Sequence, residues 1–267
     1  MEEPLTPGRP RHDDPPPFVH LVAHPIRWTL LRLLTESDRA VKELTASIGE
    51  PQNLVSYHLR QLRDGGLVTS RHSSADRRDV YYALDIAGCR TQLQGLGHAL
   101  HPALEPAPPA LPMSGHTRRR PRVLFLCTGN SARSQIAEAL VAHASAGAID
   151  AASAGSHPKP LHPNAVGVLR DRGIDISANR TKSLDEFRSA RFDAVVTLCD
   201  RVRVVCPEFS FRPRRVHWSM SDPASEGATD RASYPAFERT AAELETRLSV
   251  LVPTLSDPPR RSPDARR

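Results

Sequence analysis

The sequence predicts a chain in two parts: a small helical domain closed by a β-hairpin, then a three-layer α/β domain built on a parallel sheet. Three observations predict it. The stretch PALEPAPPALPMSGHTRRRP (102–121) is rich in proline and charge and has too little apolar surface to offset the entropy of ordering, so it reads as a linker. Before it, apolar residues recur at helical spacing in successive segments and end in two short strand-like runs. After it, continuous apolar runs alternate with helical patterns, as expected of parallel strands joined by crossover helices. The 267 residues suffice for two cores. The expected divisions are a disordered 1–17, a first domain at 18–101, the linker at 102–121, a second domain at 122–252 and a disordered tail at 253–267.

Composition narrows the function classes. Lys and Arg number 36 against 30 Asp and Glu, a formal net charge of +6 that is compatible with a polyanionic partner. The four cysteines, Cys89, Cys127, Cys199 and Cys206, are too few and too uneven for a secreted disulfide framework, and read as thiols of a cytosolic chain. No run of 18 apolar residues occurs, so a soluble, cytoplasmic protein without membrane contact is expected.

In the first domain, Leu21, Ile26, Trp28, Leu30, Leu31, Leu33 and Leu34 predict one amphipathic helix over Val19 to Leu34. Val41, Leu44 and Ile48 mark a short second helix ended by Gly49-Glu50-Pro51. A third helix, QNLVSYHLRQLRD, turns Leu54, Val55, Leu59 and Leu62 inward and stops at Gly65-Gly66, which makes a helix-turn-helix. LVTSRHSSADRRDVYYALD then reads as two strands around a basic tip, a wing. A last helix from about Ile86 to Leu100 completes the domain.

The second domain opens with RVLFLC, a buried parallel strand by its unbroken apolarity. Further strands are expected at Ala148 to Ala154, at 193–199 (DAVVTLC) and at 214–220 (RRVHWSM), and a closing helix from about Tyr234 to Leu251. The first strand ends in CTGNSARS. Cys127 stands at the strand end and Arg133 six positions on, where a helix begins. The amides of Thr128, Gly129, Asn130, Ser131 and Ala132 then form a nest for a tetrahedral oxyanion at the positive end of the helix dipole. Such a nest favours a thiolate at Cys127 and binds phosphate or arsenate with the planar fork of Arg133. Gly129 permits close backbone approach, and Ser134 is positioned to hydrogen-bond the thiolate.

At this loop the chain resembles the low-molecular-weight protein tyrosine phosphatases over about residues 121–252. The resemblance implies an Asp-Pro general acid late in the domain. Asp222-Pro223 stands there, while Asp14-Pro15 and Asp257-Pro258 lie in the polar termini. Two further thiols, Cys199 and Cys206, are separated by seven residues, about 10 Å of rise on a helix and too far for a disulfide without local unwinding.

This stretch, with HWSMSDPAS after it, is similar to the thioredoxin-coupled arsenate reductases of the same fold. That similarity implies that Cys127 attacks arsenate, Asp222 protonates the departing oxygen, Cys199 attacks Cys127 to release arsenite, and Cys206 takes over the disulfide for thioredoxin to reduce. Ala224 and Ser225 follow Asp222-Pro223, where the phosphatases place aromatics. The resemblance also implies a structural potassium at Asn130, Glu138 and Ser153, with no tightly bound cofactor. Mycothiol with mycoredoxin is the alternative reductant. A phosphatase and a non-catalytic oxyanion sensor are the alternative functions.

The first domain, over about residues 18–100, resembles the ArsR-type repressors. That implies a homodimer bound to double-stranded operator DNA. The third helix would enter the major groove with Gln52, Asn53, Ser56, Tyr57, His58 and Arg60 exposed, and Arg71, Arg77 and Arg78 on the wing would meet phosphate or the minor groove. One departure stands out. Arsenite-sensing members carry cysteines in or near the second helix, and VKELTASIG has none. Three readings stay open: Cys89 binds arsenic across a dimer, the domain responds to the attached reductase, or it senses nothing. His20, His24, His58 and His72 are scattered and predict no metal site.

Overall fold

The structure is a computed structural model that describes residues 15–101, 104, 120–209 and 211–256. Most of the expected linker, together with residues 1–14 and 257–267, lies outside the described residues.

The first domain contains helices α1 (Pro17–Val22), α2 (Pro25–Glu36), α3 (Val41–Ile48), α4 (Gln52–Asp64) and α5 (Ile86–Leu100). The single helix expected over Val19 to Leu34 is instead two. Pro25 lacks the N–H that would continue α1 and disfavours helical backbone at His24, so the chain breaks there and restarts. Pro25 becomes a first-turn residue of α2, and His24 Nδ1 accepts the Ile26 amide as its cap at 3.2 Å. Leu30, Leu34, Leu44, Val55, Leu59, Leu62 and Leu67 form the core.

The wing is β2 (Val68–His72) paired antiparallel with β3 (Val80–Leu84), and β3 also takes up a two-residue strand, β1 (Arg39–Ala40). Nothing in the sequence had marked β1, because two residues carry no periodicity.

The second domain has a parallel sheet in the order β5-β4-β6-β7, with β4 (Arg122–Cys127), β5 (Asp150–Gly155), β6 (Ala194–Thr197) and β7 (Arg214–His217). Helices α6 (Arg133–Ala144), α7 (Pro163–Arg170), α8 (Asp200–Val205) and α9 (Asp230–Ser256) connect and cover it. Leu124, Phe125, Leu126, Ile136, Leu169, Phe237 and Leu244 are fully buried in one core. The closing helix outruns the expected Leu251 boundary and reaches Ser256. The strand order reverses direction at β4, the place where open parallel sheets hold their ligands. Cys127 lies at the carboxyl end of that strand. Among the described residues no helix is long and apolar enough to cross a membrane.

The two domains touch. Asp38 N donates to the His217 carbonyl at 2.8 Å, and His217 N donates to Ser37 Oγ at 2.9 Å, so the segment after α2 runs along the end of β7. Arg247 on α9 reaches Asp38 at 2.8 Å, with both side chains largely buried.

Candidate active site

Cys127 is buried, and its sulfur lies 3.0 Å from Ser134 Oγ. The loop carbonyls of Thr128, Gly129 and Ser131 accept the backbone amides of His157, Lys159 and His162 at 2.8–2.9 Å. A trans peptide points its C=O and the following N–H in opposite directions, so the amides of Gly129, Asn130 and Ala132 turn back into the loop. The cap residue Ala132 makes no side-chain cap hydrogen bond, which leaves the first turn of α6 open to an anion.

Asn130 shapes this loop from below. Its φ of 46° is left-handed, and it is fully buried. Its Nδ2 donates to Ser134 Oγ at 2.9 Å and Ser153 Oγ at 2.8 Å, while its Oδ1 accepts the Lys182 amide at 2.7 Å. Gly155 lies against the loop so closely that a Cβ there would sit 2.8 Å from both Asn130 N and the Thr128 carbonyl. Only glycine fits.

Arg133 is 6% exposed. One terminal nitrogen donates to the Met220 carbonyl at 2.9 Å and the other lies 3.4 Å from Asp222 Oδ1, so the guanidinium ties the loop to the Asp222 segment. Its Nε is buried without a partner among the described residues, a donor left unsatisfied. Asp222 itself is about half exposed and caps the short turn Pro223–Ser225. It therefore meets both the arginine and water.

The remaining thiols flank α8. Cys199 is buried at its N-cap, with Sγ 3.3 Å from Thr128 Oγ1 in the loop that follows Cys127. Cys206 is the C-cap, partly buried, with Arg215 Nη2 at 3.5 Å from its sulfur. All the thiols are free. The helix continues past Cys199 into exposed Val204 and Val205.

The expected potassium does not fit. Asn130, Ser153 and Glu138 do form a hydrogen-bonded chain, but Lys182 Nζ already sits 2.9 Å and 3.2 Å from the two Glu138 oxygens. The ammonium supplies the positive charge a cation would bring. Lys182 is distant in sequence, so nothing near Glu138 had signalled it. Among the described residues no group of three or more His, Cys, Asp or Glu side chains is arranged to hold a metal ion.

In the first domain Gln52, Asn53, Tyr57 and Arg60 of α4 are exposed and Ser56 is partly buried. His58 departs from the expectation. It is buried, with its ring 4.3 Å from that of His24, because it falls three residues after Val55 and four before Leu62, on the inward stripe of the helix. Burial, reinforced by the charges of His24 and Arg27, pushes its pKa down.

Arg71 departs as well. It donates to the Ser219 carbonyl and lies 3.0 Å from Asp200, turned into the second domain and away from the outer face of the wing. Arg77 and Arg78 remain exposed at the wing tip, and Arg78 pairs with Asp76 at 2.8 Å. Cys89 packs against the first core and donates to the Leu67 carbonyl at 3.8 Å. Burial, with help from Asp85, pushes its thiol up to about 11, which makes it a poor arsenic ligand.

Both domains are similar to known protein families. The profile of the low molecular weight phosphotyrosine protein phosphatases matches residues 122–259, and that of the arsR family of bacterial regulatory proteins matches residues 24–70. An arsenate reductase of Halalkalibacterium halodurans is 37% identical over 132 residues, covering 49% of this chain and 95% of that protein. One from Brevibacillus brevis is 36% identical over 132 residues, covering 49% and 94%. The crystal structure of an arsenate reductase from Archaeoglobus fulgidus is 29% identical, with a TM-score of 0.41, and covers 49% of this chain and 98% of that one. The chain belongs to the low molecular weight phosphotyrosine protein phosphatase family through its second domain, with an arsR-family helix-turn-helix fused ahead of it.

Proposed function

We propose that the chain is an arsenate reductase fused to a DNA-binding transcriptional repressor, with the domain limits read from the sequence: 18–101 for the regulator and 122–252 for the enzyme. The observation that carries the enzymatic reading is the 3.3 Å contact between Cys199 Sγ and Thr128 Oγ1, which sets a second buried thiol against the nucleophile loop. A hydrolytic phosphatase needs one thiol; a reductase needs a second thiol so that a thiol pair can supply two electrons.

The proposed chemistry balances as follows. Cys127 Sγ bonds to arsenic while Arg133 and the loop amides hold the oxyanion, and Asp222 gives a proton to the oxygen that leaves as water. Cys199 Sγ then attacks Cys127 Sγ. The S–As bond breaks with its electron pair staying on arsenic, which departs as arsenite, and a Cys127–Cys199 disulfide remains. Cys206 attacks Cys199, frees Cys127 as a thiolate and leaves a Cys199–Cys206 disulfide. Thioredoxin, or mycothiol with mycoredoxin, returns two electrons to it. The exposed end of α8 at Val204 and Val205 supports access by a protein reductant.

For the regulator, Gln52, Asn53, Tyr57 and Arg60 read base edges and phosphates of an operator, and Arg77 and Arg78 add phosphate contacts. Exposed Leu93 and Leu100 on α5 and Trp28 on α2 support a homodimer through this domain. The deciding experiment couples arsenate to NADPH oxidation through thioredoxin and thioredoxin reductase. Arsenate-dependent NADPH loss is expected. Fast cleavage of an aryl phosphate with no such loss would replace the reductase with a phosphatase.

A further inference from the structure

The helix between the two relay thiols is held from outside its own domain. Asp200, the residue after Cys199, is 1% exposed and accepts the Ser74 amide at 2.7 Å, Ser74 Oγ at 3.0 Å and Arg71 Nη2 at 3.0 Å, all from the wing. From its own domain it accepts Ser219 Oγ at 2.6 Å and faces His217 Nε2 at 3.1 Å. Burial alone would raise its pKa, but the His217, Ser219 and Ser74 hydrogen bonds and the Arg71 charge hold it well below the usual carboxylate range. Asp200 is therefore an anion fixed between domains.

One turn on, Arg203 forms a bidentate pair with Glu43 of α3, at 2.6 Å and 3.3 Å, and reaches Tyr81 Oη of the wing at 2.9 Å. Arg201 Nε donates to the Ser74 carbonyl at 3.3 Å. Three of the six residues of α8 are thus tied to the DNA-binding domain.

We infer that Glu43, Arg71, Ser74 and Tyr81 are positioning residues of the thiol relay: by holding α8 helical they oppose the Cys199–Cys206 disulfide, and the disulfide in turn releases the wing. This rests on the relay proposed above. Cys199 and Cys206 cap opposite ends of α8, and seven residues of helix rise about 10 Å, beyond the 4.4–6.8 Å that disulfide Cα atoms span. Joining the sulfurs therefore requires α8 to unwind, which withdraws Asp200, Arg201 and Arg203 from their partners. In a titration the two thiols lose two protons to solvent and two electrons to a small disulfide; in turnover Cys206 alone loses a proton and attacks Cys199 within the Cys127–Cys199 disulfide, and Cys127 leaves as a thiolate. A contact made only by the helical, reduced form must bias the equilibrium toward it, and the bias is reciprocal.

The test is a redox titration of the full chain carrying Cys127→Ser, which isolates the Cys199–Cys206 couple, in mixtures of reduced and oxidised dithiothreitol. Adding Glu43→Gln, which keeps an acceptor for the Ala40 amide but removes the charge facing Arg203, is expected to raise the oxidised-to-reduced ratio about tenfold, equivalent to a potential about 30 mV more negative. Tyr81→Phe, which removes one hydroxyl, is expected to raise it about threefold and serves if the first variant does not fold. Glu245→Gln, which breaks a pair with Arg172 remote from α8, should leave the ratio unchanged.

In parallel, amide hydrogen exchange at Ser74 should quicken at least tenfold when the couple is oxidised. Equal ratios with and without the clamp residues, or an unchanged Ser74 amide, would overturn the inference. The titration contains no arsenate, so it judges the clamp alone. The relay reading fails separately, if peptide mapping after arsenate turnover of the unaltered chain finds no Cys199–Cys206 disulfide.

Discussion

Cys89 and Cys199 both sit at the start of a helix and are both shielded from water, yet their surroundings fit them for opposite fates. Cys89 is partly buried against the apolar residues of the first core, its sulfur donating to the Leu67 carbonyl with Asp85 nearby, and burial pushes its thiol up to about 11. Cys199 lies between the nucleophile loop and a helix whose first residue is a fixed anion, with a hydroxyl 3.3 Å from its sulfur. Apolar surroundings fit the partly buried first thiol for packing, whereas the second is buried beside the loop that carries Cys127. A cysteine count does not separate them; the neighbours do.

The contrast can be broken most sharply by exchanging the roles in experiment. Cys199→Ser is expected to lower thioredoxin-coupled arsenate turnover by roughly 10³-fold while sparing arsenate binding, because the electron pair on arsenic then has no protein thiol to come from. Full steady-state turnover in that variant would end the distinction. Asp222→Asn, which keeps the cap and removes the proton, should reduce kcat by about 10²-fold with little change in KM, read from the same NADPH assay.

Cys89→Ala should leave turnover untouched and cost about 1 kcal/mol in denaturant unfolding. A drop in activity would mean that Cys89 belongs to the relay after all. The smallest effect concerns His58. Its pKa is lowered on folding from the ordinary 6.5, so folding favours the neutral ring, and the stability it confers is full above that value and declines as pH falls below it. Thermal unfolding followed from pH 7.5 to 5.5 should show the decline, and His58→Gln should flatten it.

Where the two domains meet, the first domain supplies polar contacts to α8, and the second holds the wing residue Arg71 against Asp200. The regulator lacks cysteines of its own in α3. With Cys89 packed against the first core and its thiol pushed up to about 11, the inferred clamp makes the shared surface at α8 the route by which the reductase's redox state reaches the DNA-binding domain. Arg71 is the residue to follow: it is bonded to Asp200 and to the Ser219 carbonyl.

Much of this was legible in the residues themselves. CTGNSARS after an apolar strand, Asp222-Pro223 after the last strand, and the helix-turn-helix with its wing are local patterns, and local patterns survive because strand, loop and helix preferences are set by neighbours in sequence. His58 was legible too, since it shares the inward stripe of α4 with Val55 and Leu62, and polarity alone had suggested that it faced outward. Pro25 marked the break between α1 and α2 by its missing amide.

What only the tertiary structure decided are the pairings between distant residues. Lys182 neutralising Glu138, Arg71 and Ser74 meeting Asp200, and Arg203 meeting Glu43 each join positions 44 to 160 residues apart. Charge has no periodicity, and an arginine reads the same in sequence whether it faces phosphate, water or a buried carboxylate. The sequence by itself determined the two folds and the loop that follows β4, because backbone sterics and apolar spacing encode them locally. The partner of each charge, and with it the contact that ties the relay helix to the wing, was settled only when folding brought the two domains together.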